Sequence, residues 1–387
     1  MFCNSWQDLI INQLKNTAMI ERSAPQITMD EVFFPVIEEP VYREDSKGKM
    51  KKVSGYKAIV KRDTGSVFSV VSDNYRLIDN RAAYEMADYV VRELFEGKRL
   101  DDFSIFNVLM PKTQSSCRLD LILPNNFNTL FGLESESYTP FVRISNSYNR
   151  TLVLSYEIGF CRWICKNGCI FGQKGIRFSM DHTKSRREIA RVVRAQIERI
   201  GDVALIWSSF EKKMETLRRV NVPSAYALPL FCKVFNIKVQ EMTMRQLDNA
   251  PYPMPLDDFD DLDNLKRPDS ELKILGMARK TKQIEDSARS YFNSLGNNAY
   301  AMMNVLTDYA SFPKWTTSPS NYVHGYQRKV GQWIDNFVAE SVSRNFSLRE
   351  YIGEDNFTYA ERLRTILSKM DVKLVGYVWQ QLFVYWP

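Results

Sequence analysis

Cys161, Cys165 and Cys169, spaced four apart, and His182, thirteen beyond the last, come nearest to a metal-ligand set in this chain. Zinc takes tetrahedral thiolate and imidazole ligands, commonly delivered as C-x2-C or C-x4-C pairs. The C-x3-C-x3-C row departs from both spacings. On one extended strand its three thiols would share a face, a pattern that small buried hydrophobes satisfy equally. Packing is therefore the expected role, and no metal or other cofactor is implied. A cysteine nucleophile needs a base, and the chain holds only His182 and His324, with no local signature tying either to Cys165. Asp257, Asp258, Asp260, Asp261 and Asp263 could gather a divalent cation. They lack the central glycine and terminal glutamate of a calcium loop and follow the break Ala250–Pro255, so they read as a solvated linker. No phosphate-cradling glycine loop, dinucleotide fingerprint or nucleophile elbow is present. These residues point away from an enzyme.

Basic residues interleaved with aromatics carry the more specific chemistry. Lys57, Lys61, Arg62 and Arg76 stand beside Tyr56 and Tyr75, and Arg162 and Lys166 flank Trp163. Arg187, Arg191 and Arg194 follow at i, i+4, i+7 in a segment that also holds Lys184 and Arg186. On a helix the three form one stripe. Such stripes track phosphates, while aromatic rings and guanidinium planes stack on unpaired bases. From 184 to 219 ten basic residues face five acidic ones, so the charge balance of an ordinary solvated helix is broken. Nucleic-acid contact and a plain solvated face both remain open readings.

Positioning these groups requires folded domains, and the composition supplies them. The 387 residues are 44% hydrophobic, 25% charged and 13% aromatic, ordinary for packed domains and enough for two or three. The net charge of +6 is spread over both halves, which permits a polyanionic partner without demanding one. The start lacks the pattern of a secretory signal, no apolar run approaches bilayer length, and six unevenly spaced cysteines make no disulfide framework. A cytoplasmic protein with reduced thiols and no membrane contact is expected.

Apolar periodicity implies an α+β fold, an antiparallel-sheet domain followed by a mainly helical region. Residues 1–24 read as an N-terminal helix and 25–180 as the antiparallel α+β domain. Residues 181–250 read as helices packing on the sheet, 251–283 as a Pro/Asp-rich linker, and 284–387 as C-terminal helices ending in an aromatic tail. The clearest hairpin runs from Tyr56 to Val71 around Asp63-Thr64-Gly65. Asp79 or Asn80 caps a helix through Leu94. The charged run REDSKGKMKKVSG, from Arg43, reads as an exposed loop or hairpin tip.

Three segments carry a resemblance: YKAIVKRDTGSVFSVVSDNYRLIDN from Tyr56, FCRWICKNGCIFG from Phe160, and GNNAYAMMNVLTDYASF from Gly296. They resemble blocks of a phage- and plasmid-borne family, the nine-three-two domain of unknown function, the second block through Arg162, Cys165 and Asn167. The resemblance implies a mobile-element setting and transfers no catalytic residue. The strand-rich front half is further similar, at the level of fold, to single-strand annealing proteins of the Red-beta type.

The leading expectation is non-catalytic binding of single-stranded nucleic acid, extending to strand annealing, by a homo-oligomer. The expected contacts are Lys57, Lys61, Arg62, Arg76, Arg162, Lys166, Arg187, Arg191 and Arg194, converging on one groove. The rival is a protein-interaction factor acting on a host protein. A metal-dependent nuclease built on scattered carboxylates comes third.

Overall fold

The computed structural model describes residues 29–124, 128–133, 136–162, 167–170, 177–180, 191, 194–195, 203–248, 269–313 and 322–384. The N-terminal helix, Cys165, Lys166, His182, Arg187 and the acidic run expected from the sequence lie outside the described residues, as do the side chains of the aromatic tail.

The first three strands, β1 (Val36–Glu44), β2 (Met50–Lys61) and β3 (Val67–Ser72), form a small antiparallel sheet in that order. The β2–β3 connection is the hairpin read from Asp63-Thr64-Gly65, with Lys57 opposite Val71. Alternation sends Ile59 and Val71 inward, where they meet Phe34, Val36, Tyr75 and Tyr148. The Tyr148 ring lies 5.2 Å from Phe68 and 5.6 Å from Phe34. Its backbone carbonyl accepts from Ser69 Oγ at 2.6 Å, and its phenol oxygen accepts from Asn80 N at 3.0 Å. One tyrosine thus ties the small sheet to the first long helix.

That helix, α1 (Asn80–Leu94), starts where Asp79 accepts from Ala82 N at 2.7 Å, and it buries Ala83, Met86, Ala87, Val90, Val91 and Leu94 along one stripe. It lies on a larger antiparallel sheet built from β4 (Ser104–Leu109), β5 (Ser116–Ile122), β6 (Asn128–Thr129), β7 (Ser137–Ser147), β8 (Leu154–Arg162), β9 (Asn167–Ile170) and β10 (Arg177–Met180). The order is β10-β8-β7-β5-β4, with β6 on β7 and β9 on β8. Leu119, Leu121, Val142, Ile144, Tyr156 and Ile158 face α1. The opposite face carries polar rows with an apolar cluster of Ile122, Phe141 and Cys161 beside them, and β8 is buried along its whole length, so that face is covered too.

The helical half comprises α2 (Val203–Arg219), α3 (Ala227–Phe235), α4 (Glu241–Asp248), α5 (Asp269–Leu295), α6 (Ala299–Ser311), α7 (Val323–Ser341), α8 (Leu348–Ile352) and α9 (Glu354–Val384). The wholly buried helix α6 is its centre. The α2 residue Phe210 stacks on Phe160 of the sheet at 4.6 Å, so sheet and helices share one core. No helix among the described residues is long and apolar enough to cross a membrane. The expected linker over 251–283 is too long at its C-terminal end: α5 begins at Asp269, and Ile274, Leu275, Ala278 and Thr281 are buried. Charged neighbours on both sides had masked this helical spacing.

Replacing Tyr148 by Phe keeps the ring packing but strands the buried Asn80 N–H. Denaturant unfolding should show a loss of about 1–3 kcal/mol, the cost of an unsatisfied buried donor. A variant as stable as the parent would mean that this phenol is not the junction described here.

Candidate functional site

The basic residues expected to converge are placed in different surroundings. Lys57 pairs with Glu38 at 2.9 Å, and Lys61 reaches Gln114 Oε1 at 2.6 Å while lying over the Phe34 ring. Arg62 and Arg76 are exposed, near the base of the small sheet and ahead of α1. Arg191 is also exposed. Arg194 pairs with Glu93 at 2.9 Å, at the far end of α1. At ~1.5 Å of rise per residue, Glu93 lies roughly 20 Å along the helix from Asn80, where the small sheet is anchored. Arg194 is therefore not brought together with Lys61.

Arg162 departs furthest from its expected role. It is buried, and its guanidinium closes on Glu136, with Nη2 at 2.5 Å from Oε1 and Nε at 3.0 Å from Oε2. Tyr300 of α6 donates to the same carboxylate and shares a 2.8 Å hydroxyl contact with Tyr138. The physical reason is position: Arg162 ends β8 at the seam where α6 meets the sheet, so its charge is spent internally.

The basic and aromatic surface appears instead on the outer half of β1–β2. Pairing slips between Pro40 and Tyr42, where β2 carries extra residues and Gly55 adopts φ +82°. Only glycine takes that conformation without strain. Beyond the slip, Tyr42, Arg43 and Glu44 pair with Lys52, Lys51 and Met50 as a two-stranded arm. Its turn is tied by Asp45, whose Oδ1 accepts from Lys47 N at 2.8 Å and Lys49 N at 3.0 Å, while Oδ2 faces Lys51 Nζ at 3.1 Å. These two backbone donors and the lysine hold the Asp45 carboxyl below the ordinary carboxylate range. From 43 to 52 the arm carries five basic and two acidic residues, and Tyr42, Met50 and Tyr56 are at least half exposed.

On the polar face of the larger sheet, the register aligns Asn107, Asp120, Arg143 and Glu157 side by side across four strands, with Arg177 next in line. The Arg143 side chain has no exposure, and its guanidinium grips Asp120 at 2.5 and 2.6 Å. Asn107 Nδ2 donates to Asp120 at 3.1 Å, and Arg143 Nη1 donates to Gln327 Oε1 of α7 at 2.7 Å. His324 Nδ1 lies 3.5 Å from both Arg143 Nη1 and Glu157 Oε2. That nitrogen can accept from the arginine when bare or donate to the carboxylate when protonated, not both. This row can hold charge and a proton, but Arg143 and its partners are shut from bulk solvent.

The cysteines do not form one row. The ladder pairs Cys161 with Gly168 and Cys169 with Phe160, so Cys161 and Cys169 occupy different rows; the chain turns between β8 and β9 instead of continuing as one strand. Cys161 packs with Ile122 and Phe141. Burial pushes the thiols of Cys117 and Cys232 up to about 12, which leaves neither as a nucleophile near neutrality.

A family model described as a domain of unknown function (DUF932) matches residues 67–312. The chain belongs to this family. No curated protein and no solved structure matches it. The DUF932 match runs from β3 to the end of α6. It includes the ionic row from Asn107 to Glu157, the Arg162–Glu136–Tyr300 seam and α1. It excludes the β1–β2 arm and the α7 residues His324 and Gln327.

The run from Arg43, an exposed loop or hairpin tip by its sequence, offers no aromatic inside it, so its residues do not stand out as candidates although the lysine density is plain. The row was missed because Asp120, Arg143 and Glu157 are single charges inside strand-like runs. Three such charges, each flanked by Val, Leu, Ile or Tyr, were the available signal.

Arg143→Met should cost about 3–5 kcal/mol by leaving Asp120 buried without its cation, and adding Asp120→Leu should recover most of it. Additive losses in that double-mutant cycle would break the account. The raised thiols make a second prediction. Cys117 and Cys232 favour the folded state fully below their unfolded value near 9, and that contribution is lost as pH rises toward about 12. Native-state alkylation at pH ~8 should spare both thiols; fast labelling of either in the folded chain would contradict their burial.

Proposed function

We propose that this protein binds single-stranded nucleic acid without reacting on it, in the cytoplasm and in the setting of a mobile element. The β1–β2 arm is the principal contact. The carrying observation is the exposed two-stranded arm itself: Arg43, Lys47, Lys49, Lys51 and Lys52 with Tyr42 and Tyr56, on a turn fixed by Asp45. Lysines on a projecting ribbon neutralise backbone phosphates, and the tyrosines offer faces for stacked bases. Lys57, Lys61, Arg62 and Arg76 extend the basic character toward the base of the sheet. The reading includes annealing by several copies along one strand, the behaviour suggested by the likeness to Red-beta-type proteins.

A second reading rests on a separate observation. β3 is an edge strand, and Val67 and Val70 on it are 60% and 50% exposed. Such an edge can accept a strand from a host protein.

Binding of a labelled oligothymidylate, titrated with salt, tests the first reading. Four phosphate contacts at ~0.7 each give a log–log slope of about −3. Lys51→Glu with Lys52→Glu should flatten the slope and weaken binding more than tenfold at low salt, with the melting temperature unchanged because both side chains are exposed. Tyr42→Ala should cost about 1–3 kcal/mol of affinity if the ring stacks on a base. Salt-independent binding, or unaltered binding in the charge-reversed arm, would remove the reading, and a partner lost on Val70→Lys would favour the second.

A further inference from the structure

One row along the sheet from Arg143 lies a second polar row, and it is chemically unfinished. The register sets Arg118 of β5 beside Ser145 of β7, Ser145 beside Ser155 of β8, and Ser155 beside the exposed Ser179 of β10. Ser145 and Ser155 are 3% and 1% exposed. Neither hydroxyl has a hydrogen-bond partner among the described residues, nor does the buried Nε of Arg118. Three buried polar atoms therefore stand side by side with their capacity unused. Cβ atoms of directly opposed residues lie ~5 Å apart, so groups on adjacent strands can reach different oxygens of one small ligand.

The sign of the ligand follows from the neighbours. Arginine only donates, and serine hydroxyls can donate. The nearby acids are committed: Asp120 is held twice by Arg143 and once by Asn107, and Glu157 faces His324. Arg118 has no ion pair in this row, yet it is half-buried and lies within the field of Arg143. Desolvation first, and then that second cation, hold its pKa below the ordinary arginine value against the opposing pull of Glu157 and Asp120. A half-buried cation facing another, with two idle donors beside it, is stabilised by an oxyanion.

We propose that Arg118, Ser145 and Ser155 form a binding site for a phosphate group. The phosphate comes either from a small phosphorylated molecule or from the end of a nucleic-acid strand. The proposal stands apart from the arm: it uses different strands and residues that lie inside the family match. Phosphate accepts from all three groups, and the half-buried Arg118 and exposed Ser179 mark where the row reaches solvent.

The test is thermal and chemical unfolding of the full chain with inorganic phosphate replacing chloride at constant ionic strength. Phosphate at a hundred times its dissociation constant should raise the folding equilibrium constant about a hundredfold. Arg118→Met should abolish that rise. Without phosphate it should fold at least as stably as the parent, because a desolvated cation with no ion pair is gone. Ser145→Ala with Ser155→Ala keeps the charge and should weaken phosphate at least tenfold. No phosphate-specific rise in the parent, or an undiminished rise in Arg118→Met, overturns the site. A 5′-phosphorylated oligothymidylate that competes with phosphate, where the hydroxyl-ended strand does not, supports the strand end as source. Competition by neither strand supports a small molecule. Lys51→Glu with Lys52→Glu should leave the phosphate effect intact, so failure of the arm and failure of this site are told apart.

Discussion

A guanidinium without any access to water sits in the middle of the larger sheet, and much of the architecture follows from keeping Arg143 satisfied. Removing such a charge from water costs several kcal/mol even after relaxation, and a single carboxylate repays this only with good geometry and further hydrogen bonds. Asp120 supplies the fork, but it lies on the neighbouring strand and needs Asn107 beside it. A third donor, on Nη1, is met by Gln327 of α7, which in turn donates to Ser311 at the end of α6. The polar face is therefore complete only when the helical half is docked. An apolar face would have tolerated sliding of the helices, whereas an ionic row with directional partners fixes their register.

The seam at the other end of β8 repeats the logic on the opposite face. Arg162 and Glu136 are both buried, and Tyr300 of α6 closes the pair. Burial pushes the Tyr138 and Tyr300 phenols well above the ordinary tyrosine range, so both stay protonated and keep donating. Gln327 and Tyr300 thus join the helices by hydrogen bonds to two buried ion pairs on different faces of the sheet, with the Phe160–Phe210 stack close by. Among the described residues the small sheet shows no such ionic tie to the helices. It is held by rings around Tyr148 and by a few hydrogen bonds, which suits an element whose outer half projects as an arm.

How much of this was legible in the sequence depended on whether a signal was local. The β2–β3 hairpin, α1 with its Asp79 cap, and the division into sheet and helices were readable, because turn chemistry and apolar period are properties of neighbouring residues. The start of α5 was lost among flanking charges, although Ile274, Leu275, Ala278 and Ile284 keep helical spacing. The arm reads as an exposed loop or hairpin tip, and the pairing of residues 42–44 with 50–52 bears out the hairpin; its lysines hide only how far the strands run. The fate of Arg162 was not legible at all: nothing within its own segment reveals that Glu136 and Tyr300, 26 and 138 residues away, meet at its guanidinium. A basic residue beside a tryptophan looks the same whether it will face a phosphate or a buried acid.

The contrast between two arginines of the polar face carries the argument furthest. Arg143 and Arg118 occupy adjacent rows and adjacent strands, and the same packing desolvates both. Asp120, Gln327 and His324 surround the Arg143 guanidinium, whereas Arg118, although Glu157 and Asp120 lie near enough to favour its charge, makes no ion pair and keeps a buried Nε without a partner among the described residues. Stability alone would favour Met at position 118, as an apolar side chain of similar volume avoids the cost of desolvating a cation that makes no ion pair. Sequences are locally consistent nearly everywhere, and the positions that break the rule gather where a protein meets something else. A guanidinium whose buried Nε has no partner among the described residues, at the end of a row of two idle hydroxyls and beside an arginine gripped by a carboxylate, is such a position.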